Sequence, residues 1–391
     1  MQTVNKKSCF FRLPGLLLGV WIFNLFFPIN LQAQTHYSIG IFHQQHIKML
    51  MITPHEGEYK IKSADSLVYT LRTNDIVNIS ISDGFLQLRG IDSFLGAFQE
   101  LSIEGHLSKN SLRVKLVIPG KDARIYPDNL RVFAKEKRIQ LVNRVGAQAY
   151  IAGVVESEGG PSAPFEYYKA QALLCRTYAQ GHLHKHREEG FQLCDGVHCQ
   201  AYHGKATHND LIPLAVEETG SEVIIDESGK LITAAYHSNC GGQTVNSEHV
   251  WVQALPYLQS IDEHYCLSSP NARWEKEVSL SEWVEYLGQH GIDPSQEWSQ
   301  ENLAFVQKER RQFYVVANDS LELKKLRSDW KLKSTYFSVI PVEEILFIDG
   351  KGYGHGVGMC QEGAMSMARN AYDYREIIHH YYQGVRIVSR P

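Results

Sequence analysis

The sequence predicts an α+β fold: a β-rich N-terminal region, then a mixed α/β region with a long helix just after Glu158. Three observations predict it. From His36 to about Gln148, short alternating runs are separated by turn signals. Phe165 to His186 is rich in helix formers with little to interrupt them. Leu346 to Ala371 enters an alternating-glycine loop and leaves it as a helix-like stretch. At 391 residues, 43% hydrophobic and 21% charged, the chain can bury a large core as two domains or one extended one. Its 39 basic and 43 acidic side chains give −4 with no basic block or stripe, which argues against nucleic acid as a partner.

Residues 1–33 read as a leader. Lys6 and Lys7 precede the apolar run Leu16–Phe27, which Pro28 closes, and Leu31-Gln-Ala33 offers a small residue for cleavage. The run is short for a membrane span, so cleavage near Ala33 or Gln34 is favoured over a retained anchor. The expectation is an exported mature chain, in the periplasm or cell envelope, with no membrane span. Residues 34–145 then form the β-rich region, with strands expected at Tyr37–Ile41, Ile76–Ile81 and Leu112–Ile118 and turns at Asp83-Gly84 and Pro119-Gly120. No catalytic residue types cluster there, so it reads as scaffold or docking surface.

Residues 146–391 form the second region. Pro161-Ser-Ala-Pro164 breaks the chain, Ser162 is a candidate cap, and a helix follows with Tyr167, Ala170, Leu174 and Tyr178 on one face. Lys169, Arg176 and Gln180 share another face, which places two cations within possible reach of Glu158. Glu222–Ala235 reads as a β-hairpin turning at Glu227-Ser-Gly-Lys230. Trp274–His290 and Trp298–Leu326 are mixed and weakly diagnostic, and Gln361–Ala371 and Tyr374–Tyr382 read as two closing helices.

Chemistry concentrates in this second region. Glu158 ends an apolar run (Ile151, Val154, Val155), and a carboxyl beside apolar surface resists ionisation, as a general acid near neutral pH requires. Glu156 is its rival, but carboxylates two positions apart do not form a tight pair in helix or strand. His182, His184, His186, Cys194, His198, Cys199 and His203 crowd one stretch. Thiolate plus imidazole is the donor set zinc prefers, while a Cys194–Cys199 disulfide or free thiols are the alternatives. Gly352, Gly354, Gly356 and Gly358 would share one face of an extended segment, serving either tight packing or close approach of a ligand. No Gly-Lys-Ser/Thr follows, so this is not a phosphate loop. The adjacent His237 and Ser238 lack nucleophile–base geometry and an acid partner. With Cys9 in the leader, six cysteines remain, of which Cys240, Cys266 and Cys360 are free to pair or not.

Several blocks closely resemble the stage II sporulation protein D (SpoIID/LytB) family. They are Tyr150-Ile-Ala-Gly-Val-Val-x-x-Glu158, Lys169-Ala-Gln-Ala172, Arg176-Thr-Tyr-Ala179, Asp195-Gly-Val-His-Cys-Gln-Ala-Tyr202, Tyr236-His-Ser-Asn-Cys-Gly-Gly242, Pro256-Tyr-Leu-Gln-Ser260 and Gly352 through Ala364. They follow family order from about Gly146 to the C-terminus.

The resemblance implies a peptidoglycan lytic transglycosylase, cutting the bond between N-acetylmuramic acid and N-acetylglucosamine without water and leaving a 1,6-anhydro sugar. Glu158 matches the catalytic glutamate, acting as acid and then base, and Arg176 matches an arginine placed near it. Lys169, Tyr236, Ser238, His355 and Gln361 are then the expected glycan contacts. Zinc is implied on one of His182, His184 or His186, taken here as His186, with Cys194 and Cys199; no organic cofactor is expected. The partners implied are glycan strands and other wall hydrolases. The alternatives are a wall-binding module that enhances an amidase, a role also found in this family, and an ordinary hydrolase using water.

Overall fold

Alternation between His36 and Gly146 builds two sheets whose strands in that span pair antiparallel. In the strand His36–Ile41 the inward side chains Tyr37, Ile39 and Ile41 are buried and the strand pairs antiparallel with Arg138–Gly146. The computed structural model describes residues 1–2, 36–105, 109–251, 253–292, 300–316 and 318–390. The leader expected over residues 1–33 lies outside them, save Met1 and Gln2.

One sheet has seven strands in the order Leu193–Cys194, His36–Ile41, Arg138–Gly146, Asn129–Lys135, Glu100–Gly105, Tyr59–Ser63, Ser66–Leu71. The other has six, in the order Arg124–Pro127, Ser111–Ile118, Met49–Glu56, Val77–Ser82, Phe85–Arg89, Phe94–Phe98. The turn expected at Asp83-Gly84 joins two strands of the second sheet, both residues having the positive φ (52° and 79°) of a primed hairpin turn. The short strand Leu193–Cys194 joins the first sheet parallel to His36–Ile41, so the cysteine-bearing loop is tied to the β-rich scaffold.

Three helices follow: α1 (Ala147–Gly159), α2 (Phe165–His182) and α3 (Leu211–Glu218). On α2, Tyr167, Ala170 and Leu174 of the expected face are fully buried, whereas Tyr178 is half-buried. The helix stops at His182 rather than His186, and its N-cap is Pro164, with no side-chain cap from Ser162. Apolar residues from both sheets and these helices enter one core. The hairpin expected over Glu222–Ala235 forms in part: Asp226 N–H donates to Lys230 O at 2.8 Å, Ile225 bridges Leu231 antiparallel, and Ile232 N–H donates to Ile224 O at 3.2 Å. The strand Glu222–Ile225 pairs on its other side with Arg386–Ser389 at the other end of the chain, and Val223 and Ile224 are wholly buried.

The weakly diagnostic stretch forms a unit with its own core. Strands Arg273–Ser279, Ile345–Lys351 and Phe337–Val342 make a three-stranded sheet. With it go α4 (Leu280–Gln289), α5 (Gln300–Leu303), the hairpin Phe313–Val316/Asp319–Glu322 and α6 (Leu323–Asp329). Trp283, Tyr314, Leu326 and Phe337 lie at its centre. The two closing helices form much as expected, as α7 (Gln361–Arg369) and α8 (Tyr374–Tyr381). No described helix is long and apolar enough to cross a membrane.

Candidate active site

Glu158 stands in the last turn of α1, where the helix dipole is negative and disfavours a carboxylate. The helix ends because Gly160 takes a positive φ of 69°, closed by its own N–H to Glu156 O at 3.0 Å. Residues 199–208 fold across this helix end. Ala201 N–H donates to Glu158 Oε1 at 2.7 Å, and His203 N–H donates to Ser157 Oγ at 3.0 Å. Thr207 N–H and His208 N–H donate to the Glu156 carboxylate at 3.1 and 2.9 Å. Glu156 is therefore occupied in fastening the loop.

Glu158 lines a cleft of about 730 Å³ together with Tyr178, Gln200, Tyr236, Trp251 and His355. Among the described residues, no other that lines it is a carboxylate. The side chain is half-buried, and burial raises its pKa, while the Ala201 N–H and the Tyr236 hydroxyl pull it down.

Of the expected glycan contacts, Tyr236, Ser238, His355 and Gln361 line this cleft. Gln361 donates to the Glu158 carbonyl at 3.3 Å and so braces the helix end from below. His355 Nδ1 accepts Val357 N–H at 3.0 Å. Burial, with Arg327 and Arg310 nearby, lowers its pKa to about 4, so the imidazole is neutral. It packs against Trp251, with ring centroids 5.7 Å apart.

Two expectations are corrected. Arg176 is absent from the cleft lining, and its guanidinium donates to Glu222 O (3.0 Å), Val216 O (3.1 Å) and Thr219 Oγ1 (3.1 Å). These bonds satisfy the buried guanidinium and tie α2 to the C-terminal end of α3 and to the strand Glu222–Ile225. Lys169 is also off the cleft, because its ammonium is paired with Glu166 (2.9 Å) and Glu218 (2.7 Å). The shared helical face was real, but it points to α3 rather than to Glu158. The guanidinium that does line the cleft belongs to Arg327, on α6 of the separate unit.

The glycine loop is not extended. Gly352, Gly354, Gly356 and Gly358 all have positive φ, and a Cβ on Gly358 would fall 2.1 Å from Ala235 O. The glycines let this loop lie against the backbone carrying Tyr236, with Tyr236 opposite Met359 and His237 opposite Cys360 in a short parallel pair. His237 is buried, its Nδ1 on Val357 O at 3.1 Å, which excludes a Ser/His nucleophile.

Beside the cleft, His186, Cys194, His198 and Cys199 place four ligand atoms within 4.8 Å of one another. His198 Nδ1 lies 3.2 Å from His186 Nε2 and 3.9 Å from each sulfur. His186 Nδ1 meets Glu189 Oε1 at 2.5 Å, the carboxylate–imidazole contact that orients a metal-binding histidine. This donor set fits tetrahedral zinc with no open position. His182 and His184 are outside it. His198 was legible as the fourth donor only from its place beside Cys199, and Trp251 and Arg327 carried no local signal at all.

The profile of the family described as Stage II sporulation protein (SpoIID) matches residues 135–225. An uncharacterized protein of Brachyspira hyodysenteriae is 32% identical over 253 residues, covering 64% of this chain and 68% of the relative. Stage II sporulation protein D of Bacillus amyloliquefaciens is 29% identical over 261 residues, covering 63% and 75%. The amidase enhancer of Bacillus subtilis is 27% identical over 291 residues, covering 61% of this chain but 40% of the relative. The chain belongs to the SpoIID family, and these relatives support a wall-associated role.

Proposed function

We propose that the chain is an exported lytic transglycosylase acting on peptidoglycan glycan strands. The observation that carries this reading is the single carboxyl in the cleft, Glu158, held where burial favours its protonated form. Hydrolysis by paired carboxylates needs a second acid, which the cleft lining does not supply. One carboxyl suffices when the sugar provides its own nucleophile. Glu158 gives its proton to the oxygen between N-acetylmuramic acid and N-acetylglucosamine as the C1–O bond breaks. The C6 hydroxyl of the same muramic ring then bonds to C1 and passes its proton to the Glu158 carboxylate. The acid is restored, and no water enters the product.

Ala201 N–H and the Tyr236 hydroxyl steady Glu158 while it carries charge between the two steps. Trp251 offers an apolar face to a sugar ring, and Arg327 supplies a fixed cation for an anionic or carbonyl group of the substrate. His186, Cys194, His198 and Cys199 would hold zinc, whose contribution is to fix the loop that presents Ala201 N–H. Replacing Glu158 by Gln should abolish release of 1,6-anhydro ends from purified glycan strands while the circular dichroism spectrum stays unchanged; wild-type rates in that variant would end the proposal.

A second reading, a wall-binding module that enhances an amidase, is favoured by the relative named for that role. It predicts a protein that pellets with sacculi yet releases no muropeptides when alone.

A further inference from the structure

Cys240, Cys266 and Cys360, unassigned by sequence, converge with Glu263 on the far side of the strand pair that floors the cleft. All four residues are 0% exposed, and their ligand atoms lie within 4.8 Å of one another. Cys240 Sγ is 3.4 Å from Cys266 Sγ and 3.1 Å from Glu263 Oε2. We propose that these four side chains form a second, structural zinc site, distinct from the histidine-containing one.

The donor geometry is close to what such an ion needs. With zinc–sulfur bonds of about 2.3 Å, tetrahedral sulfurs stand roughly 3.8 Å apart, so an adjustment of a few tenths of an ångström admits the ion. The carboxylate demands a partner. Glu263 Oε1 accepts Tyr265 N–H at 2.6 Å, but its other polar neighbours are thiols, which are weak donors, with Cys240 Sγ 3.1 Å from Oε2 and Cys266 beside it, and Glu263 makes no ion pair among the described residues. A wholly buried carboxylate left in that state is costly, and a divalent cation between it and three sulfurs removes the cost.

The surroundings are those of bound thiolates. Cys240 N–H donates to Cys360 Sγ at 3.2 Å, an amide-to-sulfur contact of the kind that orients metal-binding thiolates. Gly241 and Gly242, at φ 73° and 104°, turn the chain tightly behind Cys240. A Cβ on Gly241 would lie 2.6 Å from Lys351 Cβ. Arg310 donates to the Cys240 carbonyl at 2.6 Å, standing a guanidinium behind a site that four anionic ligands would leave negative.

A disulfide explains less. It would join two of the three sulfurs, strand the third, and leave the buried Glu263 carboxylate without a cation. The zinc site instead ties together three segments. Two of them carry Tyr236, Ser238 and Gln361 into the cleft, within a few residues of Cys240 and Cys360.

The test is metal content and cobalt spectroscopy on full-length protein purified without chelator under a non-chelating reductant. Zinc per chain should fall by one ion in Cys266→Ser and in Glu263→Gln relative to wild type. The variant Cys194→Ser/Cys199→Ser, which lacks the other ligand set, should still bind one zinc and show sulfur-to-metal charge transfer when loaded with cobalt(II). Should these variants misfold, cobalt-loaded wild type decides the matter, because five metal–sulfur bonds absorb more than two. Unchanged zinc in folded Cys266→Ser, no thiolate band in Cys194→Ser/Cys199→Ser, an intensity fitting only two sulfurs, or a Cys240–Cys266 disulfide in the unreduced peptide map would each overturn the site. None of these readouts depends on glycan cleavage.

Discussion

At Glu158 one side chain carries both the proposed chemistry and a cost to the fold. Because burial raises its pKa, its protonated form is the one the folded state favours. That contribution is complete below the unfolded glutamate value of about 4.3 and is lost as pH rises through the raised value. Glu158→Gln should therefore melt higher than wild type at neutral pH and converge with it in acid, as thermal scans at two pH values will show. The same raised pKa sets the activity profile: kcat/KM on glycan strands should fall about tenfold per pH unit above it, since the step needs the acid form. Arg176 separates sequence likeness from local geometry. With three acceptors on a buried guanidinium, Arg176→Ala should cost about 3 kcal/mol or more in denaturant melts. Activity per folded molecule should stay near wild type, whereas a residue touching substrate would lose rate at constant stability. The sequence pointed to Glu158 through its apolar approach and the glycine pair after it. It misplaced Arg176 because helical periodicity tells which residues share a face, not what that face meets.

Elements were legible where the pattern is local. The strands near Tyr37, Val77 and Leu112, the helix after Pro164 and the two closing helices stand within a few residues of their expected bounds. The hairpin after Glu222 is shorter than expected, because the main partner of its first strand is Arg386–Ser389, more than a hundred residues away, which no local signal encodes. The glycine loop was read as an extended face because alternation suggests period two, yet each glycine answers a positive φ, and Gly352 and Gly358 a close backbone as well. Gly358→Ala, forcing a methyl toward Ala235 O, should cost about 2 kcal/mol or more. It should also slow the folded fraction, because Ala235 precedes Tyr236; melting curves and rates measured together will test both. The loop from Cys194 to His208 is the other sensitive element. Removing its proposed zinc through Cys199→Ser should lower both bound metal and Tm, and should weaken catalysis through the Ala201 N–H that reaches Glu158.

Across the whole molecule, the cleft draws on parts that sequence order keeps apart. Glu158 comes from α1, Tyr236 and Trp251 from the middle, His355 from the glycine loop, Gln361 from the start of α7, and Arg327 from a unit with its own core. That unit had no recognisable pattern because its core is assembled from short, mixed segments that pair across 273–351. Trp283→Ala, emptying its centre, should loosen it by about 3–5 kcal/mol. Limited proteolysis should then cut within the unit first, and KM should rise through Arg327 while kcat changes less. The family blocks marked the cleft's walls in the sequence, but which residues face inward depends on how the distant segments meet. The most direct test of the central claim is product mass spectrometry on sacculi digested with the purified protein. Muramic ends with the mass of the closed 1,6-anhydro ring, absent in Glu158→Gln, are the predicted result. Ends carrying one added water, or the same anhydro products from Glu158→Gln, would contradict it.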